Sequence, residues 1–152
     1  MASEFDDSFK ELEQSVMEEM KKVYSETTID HFLNPRNLDE IPAPDGFGRV
    51  TGSCGDTMEI CIKVRDGRVA NASFWTDGCG TSIASGSMVT EMAKGRGVRE
   101  AQRISQRDVL DALGGLPEES EHCALLAADA LREAVKDYLA LEREPWKRAY
   151  QR

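Results

Sequence analysis

From Asp56 to Arg65 the chain alternates: Met58, Ile60, Ile62 and Val64 fall on one face, and Thr57, Glu59, Cys61, Lys63 and Arg65 on the other. A period of two over this length fits a β-strand with one buried face. Asp66-Gly67 follows at once, a pair suited to a two-residue hairpin turn. The return strand is expected over Val69 to Thr76, with Ala70, Ala72, Phe74 and Thr76 on one face. A shorter strand over Arg49 to Ser53 precedes both. Before it, Pro42, Pro44, Gly46 and Gly48 mark a loop from Asp39 to Gly48. A three-stranded antiparallel meander must cover its apolar face with helices, so the predicted fold class is α+β.

The helices are legible on either side. Phe5, Phe9, Leu12, Val16, Met20 and Val23 recur at three- and four-residue spacings and predict a long N-terminal helix. Ser25 or Thr27 caps a continuation through Ile29, Phe32 and Leu33, which Asn34-Pro35 ends. Helices are then expected over Thr81 to Ala93, with Ile83, Met88 and Met92 in the core, and over Gln106 to Leu113 behind an N-cap at Ser105. Gly95 and Gly97 stop the first of these. A long C-terminal helix is expected from Glu118 to Leu141, closed by Pro145, with Leu125, Ala128, Leu131, Val135, Tyr138 and Leu139 as its apolar stripe. The expected organisation is an N-terminal helical arm over residues 1–23, one domain over 24–141 and a tail over 142–152.

Charge and hydropathy narrow the function. The 152 residues carry 19 Lys+Arg against 28 Asp+Glu, a net charge of −9. That balance argues against a nucleic-acid surface, which needs a basic footprint, and favours partners with basic faces. No apolar run approaches the roughly 18 residues of a membrane span. The acidic opening Met1 to Asp7 lacks the apolar segment of a secretory signal, so a cytoplasmic, reducing setting is expected.

In that setting the four cysteines, Cys54, Cys61, Cys79 and Cys123, are thiols or metal ligands rather than disulfides. None belongs to a CxxC pair. Cys54 sits in Gly52-Ser53-Cys54-Gly55-Asp56, a bend between strands, and Cys79 in Asp77-Gly78-Cys79-Gly80, a strand-to-helix turn. Flanking glycines let the backbone approach a bulky group, and a thiol before a helix start feels the positive end of the helix, which favours thiolate. Cys123 follows His122 at the start of the last helix. Each of these three cysteines ends a regular element, so they can converge at one end of the domain.

Three thiolates with Asp56 or His122 make a four-ligand set, and soft thiolates suit iron–sulfur clusters and zinc. A carboxylate is a harder donor, so a site completed by Asp56 releases its cargo more readily than four thiolates would. Adjacent on a helix, His122 and Cys123 point about 100° apart. The strand phase puts Cys61 with Glu59 and Lys63, away from the apolar face, and predicts a non-ligand. His31 has no metal-ligand context and is assigned a core or capping role.

Four segments now stand in order: Tyr24-Ser-Glu with Ile29-Asp30-His31-Phe32 and Asn34-Pro35-Arg36-Asn37; Gly52-Ser-Cys54-Gly55-Asp56; Gly78-Cys79-Gly80-Thr-Ser-Ile83-Ala84-Ser85-Gly-Ser87; and Leu116-Pro117 with His122-Cys123-Ala-Leu-Leu-Ala. Together they resemble the IscU/NifU-type iron–sulfur cluster assembly scaffolds, over most of the chain. The resemblance implies that Cys54, Cys79 and Cys123 hold a nascent [2Fe–2S] cluster, with Asp56 and His122 as fourth-ligand or exchange positions. Zinc can occupy the same site. It also implies a cysteine desulfurase as sulfur donor, separate supplies of iron and of electrons (a ferredoxin), and iron–sulfur acceptor proteins. On this reading the protein is a carrier rather than an enzyme, and two copies can share a cluster as a homodimer. The alternative is a zinc-bound sulfur-relay transferase that accepts persulfide without building a cluster.

The chain departs from the pattern in places. Scaffolds served by a dedicated Hsp70-type chaperone carry Leu-Pro-Pro-Val-Lys before the His-Cys pair, and here Leu116-Pro117 is followed by Glu118-Glu119-Ser120-Glu121. Acidic residues where the second proline and the lysine would stand argue against that partnership. The arm before Tyr24 is long, and Cys61 has no counterpart in the motif. Zinc-dependent SufU-type relatives have an insertion between the second and third cysteines and lack the His-Cys pair, so His122 places the resemblance on the IscU side.

Overall fold

The structure, a computed structural model, describes residues 2–150; Met1 of the expected arm and the last two residues of the expected tail lie outside the described residues. The alternating segment is strand β2 (Thr57–Arg65), and the return strand is β3 (Arg68–Thr76). Asp66 (φ +54°) and Gly67 (φ +75°) both take left-handed backbone, the type I′ geometry that matches the twist of paired strands. The first strand, β1 (Gly46–Thr51), pairs antiparallel with β2 on its other side, so the sheet order is β1-β2-β3. Met58, Ile60 and Ile62 are fully buried on the inner face.

Two expectations for the sheet need correction. Ala70 is exposed, and Val69 takes the inner position instead. The pairing passes from Lys63–Asn71 to Val64–Val69, so Ala70 has no partner and the phase of β3 slips by one residue at this bulge. β1 also begins three residues before Arg49, inside the segment expected to be a loop, and ends at Thr51. Gly46 and Gly48 are not turn residues here. A Cβ on Gly46 would lie 2.3 Å from the Ala134 carbonyl oxygen, and one on Gly48 2.4 Å from that of Ala130. Both glycines let a helix backbone lie directly on the strand.

That helix is α6. The chain order is α1 (Ala2–Val23), α2 (Glu26–Leu33), the three strands, α3 (Gly80–Ala93), α4 (Val98–Gln102), α5 (Gln106–Leu113) and α6 (Glu121–Arg143), with 3₁₀ turns at Glu118–Ser120 and Pro145–Tyr150. Helices α3 and α6 cover the inner face of the sheet. The buried side of α6 is built from Ala124, Ala127, Ala128, Ala130 and Ala134 with Leu126, Leu131 and Val135. Its small residues complement the glycines of β1. Leu125, expected in the stripe, is exposed, because the helix turns its alanine face rather than its longest side chains to the sheet. Ser105 caps α5 in a reciprocal box with Asp108. The short helix α4 has no counterpart among the expected elements.

Ser25 is extended (ψ 159°), which breaks α1 from α2, and its hydroxyl accepts from the Thr28 N–H as the N-cap of α2. The last turns of α1 meet α2, and Met17 and Met20 are partly covered. Phe5, Phe9, Leu12, Val16 and Val23 stay exposed, with Phe5 at 74%. The stripe makes a helix here without burying it in the body.

His31 anchors α2 to α3. It is buried, its Nδ1 lies 2.7 Å from Ser87 Oγ, and that hydroxyl also accepts from the Arg36 backbone N–H at 2.9 Å. Burial, aided by the positive charge of Arg36, pushes the imidazole below its ordinary value of 6.5, while Asp30 and Glu91 pull the other way. The folded state therefore binds a proton less readily than the unfolded chain, and stability from this group is lost as pH falls below about 6.5. In metal-free protein the urea midpoint should drop between about pH 7 and pH 5, and His31→Gln should flatten that slope. A second test addresses the sheet–helix contact. Gly48→Ala should destabilise by about 1–3 kcal/mol in urea unfolding, the usual range for overpacking. Gly52→Ala, whose Cβ would meet nothing nearer than a Leu126 methyl at 3.5 Å, should be close to neutral.

Candidate metal centre

The β1–β2 connection is a tight loop. The Gly52 N–H donates to the Asp56 carbonyl at 2.8 Å and the Gly55 N–H to the Gly52 carbonyl at 3.0 Å, and Gly55 takes φ +90°. This geometry puts Cys54 exposed at the loop tip and Asp56 half-buried behind it. The loop after β3 is fastened to the same end of the sheet. Asp77 Oδ1 accepts from the Thr57 N–H at 2.8 Å, and the Thr76 hydroxyl donates to the Thr57 carbonyl at 2.8 Å.

Cys79 is the N-cap of α3, with its carbonyl taking the first helical bond from the Ile83 N–H at 3.0 Å. Its neighbours have no room for side chains. A Cβ on Gly78 would lie 2.5 Å from Ser82 Oγ and 3.0 Å from Asp56 Oδ2, and one on Gly80 2.8 Å from the Phe32 ring. Phe32, Met20, Tyr24 and Ile29 wall an apolar cavity of 270 Å³ that opens beside Cys79. A larger groove of 490 Å³ lies on the outer face of the sheet, where Cys61 sits with Phe47, Ser73 and Trp75.

The first turn of α6 brings the remaining groups. Cys123 is buried, and its Sγ lies 3.2 Å from Thr81 Oγ1, 3.4 Å from Ser82 Oγ and 3.7 Å from His122 Nε2. Thr81 Oγ1 is in turn 3.1 Å from Cys79 Sγ. Ligand atoms of Cys54, Asp56 and His122 all lie within 4.8 Å of one another. The five residues expected to carry chemistry thus share one end of the domain. Cys61 is on the outer face of the sheet, and His31 lies in the α2–α3 contact.

The sulfurs differ in environment. Burial pushes the Cys123 thiol up, against the lowering effect of hydrogen bonds from Ser82 and Thr81, and charge on Cys79 and Cys54 pushes it further. Partial burial also raises Cys79, but hydrogen bonds from the hydroxyls and backbone N–H groups of Thr81 and Ser82 outweigh it and leave its thiol below the ordinary range. The donor set of sulfur, imidazole and carboxylate suits iron or zinc. Sequence reasoning missed Thr81 and Ser82. The only cue was two hydroxyl residues directly after Cys79-Gly80.

Comparison with known proteins identifies the family. Residues 23–144 match the family described as NifU-like N terminal domain. The chain is 51% identical over 117 residues to the iron-sulfur cluster assembly scaffold protein IscU 1 of Archaeoglobus fulgidus, covering 76% of each. It is 46% identical over 120 residues to the IscU scaffold protein of Escherichia coli (strain K12), covering 76% of this chain and 93% of that one. A crystal structure of an N-terminal NifU-like protein from Brucella abortus superposes with a TM-score of 0.62 at 21% identity, over 80% of this chain and 97% of that one, which supports the fold. The helix α1 precedes nearly all of the matched segment.

The contrast between Cys79 and Cys123 is directly measurable. In metal-free protein near neutral pH, iodoacetamide should label Cys79 at least several-fold faster than Cys123, with peptide mass spectrometry as the readout. Equal rates would contradict the assigned burial and hydrogen bonding.

Proposed function

The chain belongs to the NifU-like N-terminal domain family, and from that premise we propose that it is a scaffold on which a [2Fe–2S] cluster is assembled and from which it is handed on. The observation that carries this reading is the convergence of Cys54, Asp56, Cys79, His122 and Cys123 at one end of the sheet. We assign Cys54, Cys79 and Cys123 as cluster ligands and Asp56 and His122 as the fourth-ligand and exchange positions. The body over 24–141 carries the site; 1–23 is an arm and 142–152 a tail.

The cluster is cargo here, and the chain's contribution is to receive, hold and release. Cys54 on an exposed loop and Cys79 on an open helix cap are reachable by a sulfur donor, whereas Cys123 is an inner anchor. A cysteine desulfurase is the fitting donor, since it supplies sulfur as persulfide. Each sulfane sulfur must gain two electrons to become sulfide, so an electron donor such as a ferredoxin belongs to the reaction. Asp56 supplies a hard oxygen beside soft sulfurs, which makes the fourth position the weak one and the direction of release. No turnover chemistry is assigned to the chain, and acceptor proteins take the product. No described helix is long and apolar enough to cross a membrane, and we place the protein in the cytoplasm.

Anaerobic reconstitution with iron and sulfide should give a brown protein with visible charge-transfer absorption. Cys54→Ser, Cys79→Ser and Cys123→Ser should each lose that colour, and Cys61→Ser should keep it. A colourless protein that retains one zinc per chain and accelerates a desulfurase would support the sulfur-relay reading instead. Asp56→Ala should hold its cluster longer and transfer it several-fold more slowly to an apo-ferredoxin. Faster transfer would refute the role given to the carboxylate.

A further inference from the structure

The hydroxyls of Thr81 and Ser82 are not used by the reading above, and their surroundings are unusual for buried hydroxyls. Thr81 is 6% exposed and Ser82 fully buried. Farther along α3, Ser85 donates to the Thr81 carbonyl and Thr90 to the carbonyls of Gly86 and Ser87. That is the ordinary solution for a hydroxyl inside a helix. Thr81 and Ser82 stand in the first turn, where the preceding residues are not helical and present no such carbonyl. Their side-chain partners are sulfurs instead: Thr81 Oγ1 lies between Cys79 Sγ (3.1 Å) and Cys123 Sγ (3.2 Å), and Ser82 Oγ reaches Cys123 Sγ at 3.4 Å. Room for the second contact depends on Gly78, whose missing Cβ would fall 2.5 Å from Ser82 Oγ.

Metal loading changes the roles in this arrangement. Two thiols become thiolates, which have no proton to donate. Two hydroxyl protons then face two sulfurs, one from each side chain, and at the buried Cys123 sulfur they are the donors at hand. Ser82 can serve Cys123, which leaves the Thr81 proton for Cys79. We propose that Thr81 and Ser82 are positioning residues for the cargo: they donate O–H···S hydrogen bonds to the metal-bound Cys79 and Cys123 sulfurs, and so set how firmly the site holds metal and how easily a bound cluster is reduced. Hydrogen bonds to cysteinyl sulfur withdraw charge from it and raise the potential of an attached cluster. Groups that orient ligands in this way typically control about 10- to 100-fold in metal affinity.

This inference rests on the scaffold reading for its cluster arm but not for its metal arm. Zinc affinity is measured by competition with a chromophoric chelator, and cluster potential by spectroelectrochemical titration of reconstituted protein. The variants are Thr81→Val, which keeps shape and removes the hydroxyl, Ser82→Ala, which removes only an oxygen, and Thr81→Ser, which restores the donor. Thr81→Val and Ser82→Ala should each weaken zinc binding by about tenfold and move the cluster potential to more negative values, with Thr81→Ser close to wild type in both. Wild-type values in Ser82→Ala together with wild-type values in folded Thr81→Val, or a Thr81→Ser protein no better than Thr81→Val, would overturn the proposal. If wild-type protein binds zinc but forms no cluster, the scaffold reading fails while the zinc series still decides this one. If it binds neither, both fall.

Discussion

The candidate centre depends on one contact, the seating of α6 against β1 with almost nothing between the two backbones. Gly46 and Gly48 remove the side chains from the strand, and Ala130 and Ala134 remove most of them from the helix. Close packing of this kind is rigid because neither surface has a flexible side chain to adjust. It fixes the axis of α6, and the N-terminal end of that axis carries His122 and Cys123. The same end of the sheet carries the loop of Cys54 and, through the bonds of Thr76 and Asp77 to Thr57, the helix cap of Cys79. Three pieces far apart in sequence are thereby referred to one rigid frame.

Within that frame the candidate ligands are graded. Cys54 is exposed, Cys79 is exposed but hydrogen-bonded, and Cys123 is buried among hydroxyls. A uniform set of four equivalent thiolates would bind tightly and part with its load slowly. A graded set with a carboxylate and an imidazole at its rim has a firm side and a loose side. This asymmetry fits the proposed role of holding a cluster for a limited time, and it comes from which element supplies each candidate ligand rather than from the side chains' chemistry alone.

The sequence conveyed some of this much better than the rest. Met58, Ile60 and Ile62 could be placed because a period of two is a local property, and Asp66-Gly67 because the turn demands left-handed backbone at both residues. Cys54, Cys79 and Cys123 stood out because each is flanked by glycine or histidine where a regular element ends. Gly46 and Gly48 were misread because a glycine that makes room for a distant helix looks the same, in one dimension, as a glycine in a turn. Ala70 was placed on the wrong face because a bulge is decided by the partner strand. Leu125 belongs to the apolar stripe by spacing, although close approach to the sheet favours the alanine face. Thr81 and Ser82 gave little warning, since the sulfur they serve on Cys123 is 41 or more residues away.

The arm has its own thermodynamics. Helix α1 spans 22 residues, yet Phe5, Phe9, Leu12 and Val16 have not exchanged water for protein. A helix that gains little from the hydrophobic effect must hold together on local terms, which are small and nearly balanced by chain entropy. Losing residues 2–16, which precede the turns that meet α2, would leave the sheet, the α6 seat and the sulfurs as they are, so that loss should cost the remaining body little cooperativity. Fraying of that exposed part and melting of the body should then be two separate events, and a single transition temperature for the whole chain would describe only the second.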